Sequence, residues 1–350
     1  MAIAKPLLSD LASTVNYVPS NYIRPSSDRP NFSEVQTSDG FIPLFDLQGL
    51  DGPDRFSLIQ DIGKACQDYG FFQVKNHGIS KKLIDEMLRV SKEFFHLPES
   101  ERLKNYSEDP MKTTRLSTSF NVKTEKASNW RDFLRLHCHP LEDYIQEWPS
   151  NPPSFRDVAG EYCRHTRGLA LRLLEAISES LGLQREYING ALGKHGQHMA
   201  INYYPPCPQP ELTYGLPGHK DPNVITILLQ DDVPGLQVLQ NGNWVAVKPI
   251  PYTFTVNIGD QLQVISNDRY KSVLHRAVVN SMEERISIPT FYCPSPDAVM
   301  GPAPPLADHH LHPPIYSNFT YSEYYKHFWN RGLATESCLD IFKKQETYHA

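Results

Sequence analysis

The 350-residue chain has no CxxC pair, no apolar stretch approaching the ~18 residues of a membrane span, and no surplus of basic charge. Its six cysteines (Cys66, Cys138, Cys163, Cys207, Cys293 and Cys338) stand singly, so a disulfide framework and a cysteine-based metal site are both excluded. With 34 Lys+Arg against 40 Asp+Glu, the formal net charge is −6. The clustered basic face that a nucleic-acid partner would require is missing. Internal repeats and low-complexity tracts are also absent. Pro6 and Asp10 interrupt the only apolar run near the N-terminus, so no secretion leader is read there. The expectation is a soluble monomer in a reducing compartment, the cytoplasm, with the nucleus as a second location.

What the chain does have is proline, 29 in all, or about 8% against a typical ~5%. Such a chain needs many rigid, non-helical connections. The first forty residues, with prolines at 6, 19, 25 and 30, read as an extended, weakly ordered lead-in. A short strand is expected over 41–46. A helix is expected over 54–69, with Phe56, Ile59, Ile62 and Ala65/Cys66 on one face, and then a strand over 71–75. Ser80 is placed to cap a helix running to about Phe95. Ser154 is placed to cap a longer one running to about Leu181, where Gly182 stops it. Residues 130–137 alternate like a strand, which puts Phe133, Arg135 and His137 on one face.

From about 197 to 295 the texture changes to short β-branched and aromatic runs at 8–12-residue spacing. The runs are 198–204, 224–229, 236–239, 244–247, 254–258, 263–265, 275–279 and 285–291. That pattern predicts an antiparallel sandwich or jelly-roll barrel. A Pro/His-rich loop over 300–316 and a helix over 320–345 follow. The expected fold is mainly β with α: a double-stranded β-helix (jelly-roll) core over 196–300, an N-terminal helical layer over 1–195, and a helical cover over 301–350.

Three features of the β region point to chemistry. In His219-Lys-Asp221, alternate residues of an extended segment face one way. His275 follows 54 residues later in another strand-like run. Two imidazoles and a carboxylate on one side of a metal form the facial triad of non-haem Fe(II) oxygenases, which leaves positions open for a bidentate co-substrate and O2. In Arg285-Ile-Ser287, a guanidinium fork beside a hydroxyl suits the far carboxylate of a dicarboxylate. On spacing alone, the metal reading and that of ordinary packed or solvated histidines stand level. His309, His310 and His312 lie among prolines and are read as loop residues. His77 and His195 are read as turn residues, and Cys207 as a packing residue.

The ordered set resembles the plant 2-oxoglutarate/Fe(II)-dependent dioxygenases of specialised metabolism, which include anthocyanidin synthase, flavonol synthase, flavone synthase I and gibberellin oxidases. The likeness runs through 70–78, Asn202-Tyr-Tyr-Pro-Pro-Cys-Pro208, Asp260, Ser266-Asn267, Tyr270-Lys-Ser272, His275-Arg276 and Arg285-Ile-Ser287. The stretches 113–122, 129–132, 148–155 and 211–217 are similar to the downy-mildew-resistance type oxygenases. The resemblance implies that His219, Asp221 and His275 bind Fe(II). It also implies that Arg285 and Ser287 hold 2-oxoglutarate, that Asn202 and Tyr204 hydrogen-bond it, and that Phe291 lies against a substrate ring. O2 would be the oxidant and ascorbate the assay reductant. Lys220 departs from the small residue usual there and is expected to leave iron binding intact.

That branch is associated with salicylate hydroxylation at ring carbon 3 or 5, which acts against plant immunity, and in some members with conversion of flavanones to flavones. For salicylate, Arg135 is expected to pair with the substrate carboxylate while Phe133 and Phe291 sandwich the ring. The alternative is a surface arginine paired with Asp132 or another acid. A flavone synthase acting on naringenin and a non-catalytic ligand-binding protein on the same fold remain as competing functions.

Overall fold

The computed structural model describes residues 7–37, 42–120, 125–308 and 311–344. Two sheets face one another. In spatial order, the larger contains Leu44–Asp46, Phe71–Lys75, Phe254–Ile258, Ile225–Gln230, Arg285–Cys293, Gly196–Tyr204, Asp132–His137 and Thr114–Thr118. All neighbours are antiparallel except the first pair. The smaller contains Gln36–Thr37, Asn243–Ala246, Leu236–Gln240, His275–Ala277 and Leu216–His219. Phe71 and Leu228 of the large sheet pack with Leu236 and Val238 of the small one, which closes one end of the sandwich.

The jelly-roll expectation therefore holds, and its helical layer sits where amphipathicity directs it. The Arg55–Asp68 and Lys81–Phe95 helices pack on the long Phe155–Ser180 helix, which lies against the strands Arg285–Cys293 and Ile225–Gln230. Ile59, Ile62, Ala65 and Cys66 are buried as their spacing predicts, but Phe56 is 76% exposed. It lies in the first turn, beside the last turn of the long helix, where Arg55 pairs with Glu179. The long helix ends at Ser180, one residue past that pair. Ser80 caps its helix by accepting from the Leu83 amide at 3.2 Å. Ser154 does not cap, because its hydroxyl accepts from Arg89 instead. Gly182 ends the long helix at φ +75°, a conformation glycine adopts without strain.

Three expectations are corrected. Residues 263–265 are not a strand but part of the fully buried Asp260–Ile265 helix; a short apolar run fits either element. The C-terminal helix covers only Tyr321–Arg331, starts in a Thr320/Glu323 capping box, and ends at Gly332 with φ +76°. The lead-in is not weakly ordered where it is described. Leu8, Val18 and Tyr22 are buried in one cluster with Trp130, and the Leu8 and Ser9 amides donate to Asp132 at 3.0 and 2.8 Å. Its few apolar residues pack on a strand more than a hundred positions away, which composition does not reveal. All six cysteines are free and buried, and among the described residues no helix is long and apolar enough to cross a membrane.

Candidate active site

His219 closes the Leu216–His219 strand, and His275 opens the strand paired with it, directly opposite in register. Asp221 lies just past the first of these. The Nε2 atoms of both imidazoles lie 3.6 Å from Asp221 Oδ1, and one ligand atom from each residue falls within 4.8 Å of the others. Each Nδ1 faces a backbone carbonyl, His219 to Pro217 at 2.8 Å and His275 to Val273 at 3.1 Å. That contact keeps the proton on Nδ1 and turns the Nε2 lone pair toward the cluster. Burial, and then the neighbouring His275, push the His219 pKa down to about 3, so the ring is neutral and free to ligate. Asp221 Oδ2 accepts from Thr226 Oγ1 at 2.5 Å and Asn257 Nδ2 at 2.7 Å, which leaves Oδ1 toward the imidazoles. This donor set fits a divalent transition metal and supplies only three protein ligands. Lys220, between the ligands, is half-buried, and its charge acts on Asp260.

Beside the cluster, cross-strand register aligns Arg285 with Tyr204 and Ser287 with Asn202. Asn202 Nδ2 lies 3.3 Å and Tyr204 Oη 3.4 Å from Ser287 Oγ. Arg285 spends Nε on the Val233 carbonyl at 3.1 Å and Nη2 on Gln230 at 2.9 Å, while its buried Nη1 has no partner. A buried guanidinium with an orphan N–H beside a hydroxyl and a phenol is a cradle for a carboxylate. All four residues line one chamber of about 80 Å³ with the His-Asp-His cluster, which fits an acid chelating that metal.

A second chamber of about 90 Å³ shares Arg131, Ala200, His219, Asp221 and Phe291 with the first. Phe133 and Arg135 line it, as their shared strand face predicts. Arg135 is neither on the surface nor paired with Asp132: it is 8% exposed, and its Nη2 donates to the carbonyls of Pro110 and Lys112 at 2.6 and 2.7 Å. Asp132 points from the opposite strand face to the lead-in amides. Sequence reasoning missed Arg131, His198 and the C-terminal aromatics Tyr325, Phe328 and Trp329, which close the chamber. Arg131 and His198 were legible in principle, lying two residues before Phe133 and four before Asn202 on the same strand faces. The C-terminal aromatics had no local signal. Trp329 stacks on Phe120 with ring centroids 4.7 Å apart and planes 1° apart.

The remaining histidines take structural places. His77 is buried and bonds the Tyr252 carbonyl at 3.1 Å, and His195 lies 2.8 Å from the Tyr292 hydroxyl. His309 and His310 lie outside the described residues, and His312 is exposed. Cys207 is buried beside Trp130 and Tyr204 as a packing residue.

Residues 195–294 match the 2OG-Fe(II) oxygenase superfamily, and residues 42–154 match the family described as non-haem dioxygenase in morphine synthesis N-terminal. The chain is 64% identical to Protein DMR6-LIKE OXYGENASE 1 of Arabidopsis thaliana, over 99% of both chains. It is 54% identical to Flavanone 3-dioxygenase 2 of Oryza sativa subsp. japonica, over 93% of this chain and 94% of that one. A crystal structure of JOX2 in complex with 2OG, Fe, and JA superposes with a TM-score of 0.87 at 37% identity, covering 98% of this chain and 99% of that one.

Proposed function

This chain belongs to the 2OG-Fe(II) oxygenase superfamily and is an Fe(II)- and 2-oxoglutarate-dependent dioxygenase; from that premise we propose that it hydroxylates the ring of a small phenolic acid, salicylate, at carbon 3 or 5. In this reading His219, Asp221 and His275 hold the iron. Arg285 and Ser287, with Asn202 and Tyr204, hold the co-substrate at its distal carboxylate. When bound, the iron with 2-oxoglutarate and O2 supplies the oxidising power, and succinate and CO2 leave. The protein's part is to orient the ring and keep the chamber dry. Phe133 and Phe291 line the path to the metal, and Tyr325, Phe328 and Trp329 cover it.

One observation carries the choice of an acid. Arg131 and Arg135 line the chamber as buried guanidinium groups, and among the described residues no carboxylate lies in ion-pair contact with either. Carboxylates of Glu125, Asp132 and Asp109 act on these cations only from beyond contact, so burial is incompletely compensated, and an anionic substrate offsets that cost where a neutral flavanone does not. The flavanone reading draws on the aromatic lining and on the relatives named Flavanone 3-dioxygenase 2 and Naringenin,2-oxoglutarate 3-dioxygenase. A non-catalytic binder would have no need of all five anchors His219, Asp221, His275, Arg285 and Ser287.

The deciding assay offers salicylate and naringenin separately to the Fe(II)-loaded enzyme, with ascorbate, and follows succinate and products by mass spectrometry. Hydroxybenzoate products that require 2-oxoglutarate are expected. Turnover of naringenin alone would establish the flavonoid reading, and binding without succinate release the non-catalytic one.

A further inference from the structure

Arg131, just before the Asp132–His137 strand, and Phe133 and Arg135 on it all line the outer chamber, and the Arg131 and Arg115 guanidinium carbons lie over the Phe133 ring at 4.8 and 5.3 Å. Arg131 and Arg135 are differently committed. A guanidinium has two parallel N–H pairs suited to a carboxylate, and Nη2 belongs to both. In Arg135, Nη2 already donates twice, to the carbonyls of Pro110 and Lys112. Neither pair is left to it, and its role is to fasten the 110–112 loop. Arg131 donates once from Nη1, to Asn202 Oδ1 at 3.0 Å, and once from Nη2, to the Ser119 carbonyl at 2.7 Å. Its Nε, like that of Arg135, is buried without a partner, but its Nη2 keeps a second hydrogen where that of Arg135 has none left.

Arg131 also lies deeper than Arg135. It alone of the two borders both chambers. Its guanidinium carbon lies 4.8 Å from the Phe133 ring centroid, and its Asn202 contact reaches the strand that carries Tyr204.

Resting on the reading of the substrate as an acid, we infer that Arg131, and not Arg135, is the residue that grips the substrate carboxylate, as a bidentate anchor set between the aromatic chamber and the co-substrate cradle. A carboxylate there lies against the Phe133 ring edge and brings its own ring between Phe133 and Phe291. The ligand class is a compact aromatic monocarboxylate, because a carboxylate held so deep leaves little room beyond it for a second fused ring system. Arg131 is thereby a specificity-determining residue for charge, while the aromatics select for shape.

The test measures binding to the anaerobic enzyme loaded with Fe(II) and 2-oxoglutarate, by calorimetry, with salicylate and its neutral counterpart salicylamide as probes. In Arg131→Gln, salicylate affinity is expected to fall roughly 30-fold or more, the scale of losing a desolvated charge-assisted pair. Salicylamide and 2-oxoglutarate affinities should stay within about threefold, and Arg135→Gln should cost salicylate less than about fivefold. If the glutamine variant does not fold, Arg131→Lys keeps the charge without the fork and is expected to weaken salicylate about tenfold while sparing salicylamide. Salicylate held equally well by the Arg131 variants overturns the inference, as does a parallel loss of salicylamide or 2-oxoglutarate, or a larger loss in Arg135→Gln. A wild-type enzyme that binds naringenin but no aromatic acid overturns the acid reading itself, an outcome visible before any variant is made.

Discussion

Arg285 stands opposite Tyr204 across an antiparallel strand pair, its guanidinium carbon 5.1 Å from the phenol ring centroid. The pair gives the proposed co-substrate cradle a cation backed by a ring, and it depends on space that a glycine leaves open.

That glycine is Gly235. A Cβ there would lie 2.7 Å from Arg285 Nε and 2.8 Å from its Cδ. Gly235→Ala is therefore expected to push the guanidinium out of place and raise the KM for 2-oxoglutarate roughly tenfold, with overpacking costing about 1–2 kcal/mol. The KM for the aromatic substrate should stay within about threefold. Steady-state kinetics with each substrate varied in turn checks the split, and equal effects on both would refute it.

Asn257 and Thr226 hold one oxygen of Asp221 so that the other faces the imidazoles. Removing the amide in Asn257→Ala frees the carboxylate to rotate. Fe(II) affinity is expected to fall about 10–100-fold, the usual scale for losing such a support. Competition against a chelating dye measures it, and unchanged metal affinity would show that the bond is incidental.

His198 stacks between Phe291 and His137, with ring centroids 4.9 and 5.8 Å away. Burial, then the charges of His137 and Arg135, hold its pKa well below 6.5. The unfolded chain therefore binds a proton below pH 6.5 that the folded protein refuses. Stability is full above that value and declines as pH falls. The loss steepens below pH 6.5 as the unfolded imidazole takes up its proton, and approaches the slope of one proton's difference. Denaturant midpoints from pH 7 to 5 should fall less steeply in His198→Phe, which keeps the stack but cannot titrate. An identical slope would remove His198 from the acid sensitivity.

Trp329 closes the outer chamber by stacking on Phe120. Trp329→Ala should raise the KM of an aromatic substrate roughly three- to tenfold, from the ~0.5–1.5 kcal/mol of such a stack, while 2-oxoglutarate affinity is unaffected. Loss of both together would mean that the helix supports the whole barrel.

Much of the site was legible because it lies on strands, where alternate residues share a face. That period placed Asn202 with Tyr204, Arg285 with Ser287, and Phe133 with Arg135 before any coordinates. The same rule left His219 and His275 as separate histidines, since register between strands 54 residues apart is a tertiary fact. The alternative reading of Arg135, a surface arginine paired with Asp132 or another acid, failed for a related reason: adjacent strand residues face opposite ways, and the loop carbonyls that hold Arg135 come from 110 and 112. Phe56 failed because helical spacing does not tell where the partner helix ends.

The order His219, Asp221, His275, Arg285, Ser287 pointed to the chemistry only together with the family resemblance, because a three-ligand metal set and a carboxylate fork need particular atoms that few residue types supply, while spacing alone left the histidines ambiguous. The regular strand spacing determined the class of fold. Tertiary structure alone decided what surrounds that chemistry. It brought Tyr325, Phe328 and Trp329 over the chamber, folded the lead-in onto Trp130 and Asp132, and left Arg131 buried with an unpartnered N–H. Those outcomes depend on long-range packing and on which hydrogen bonds other segments have already taken, and no local pattern encodes either.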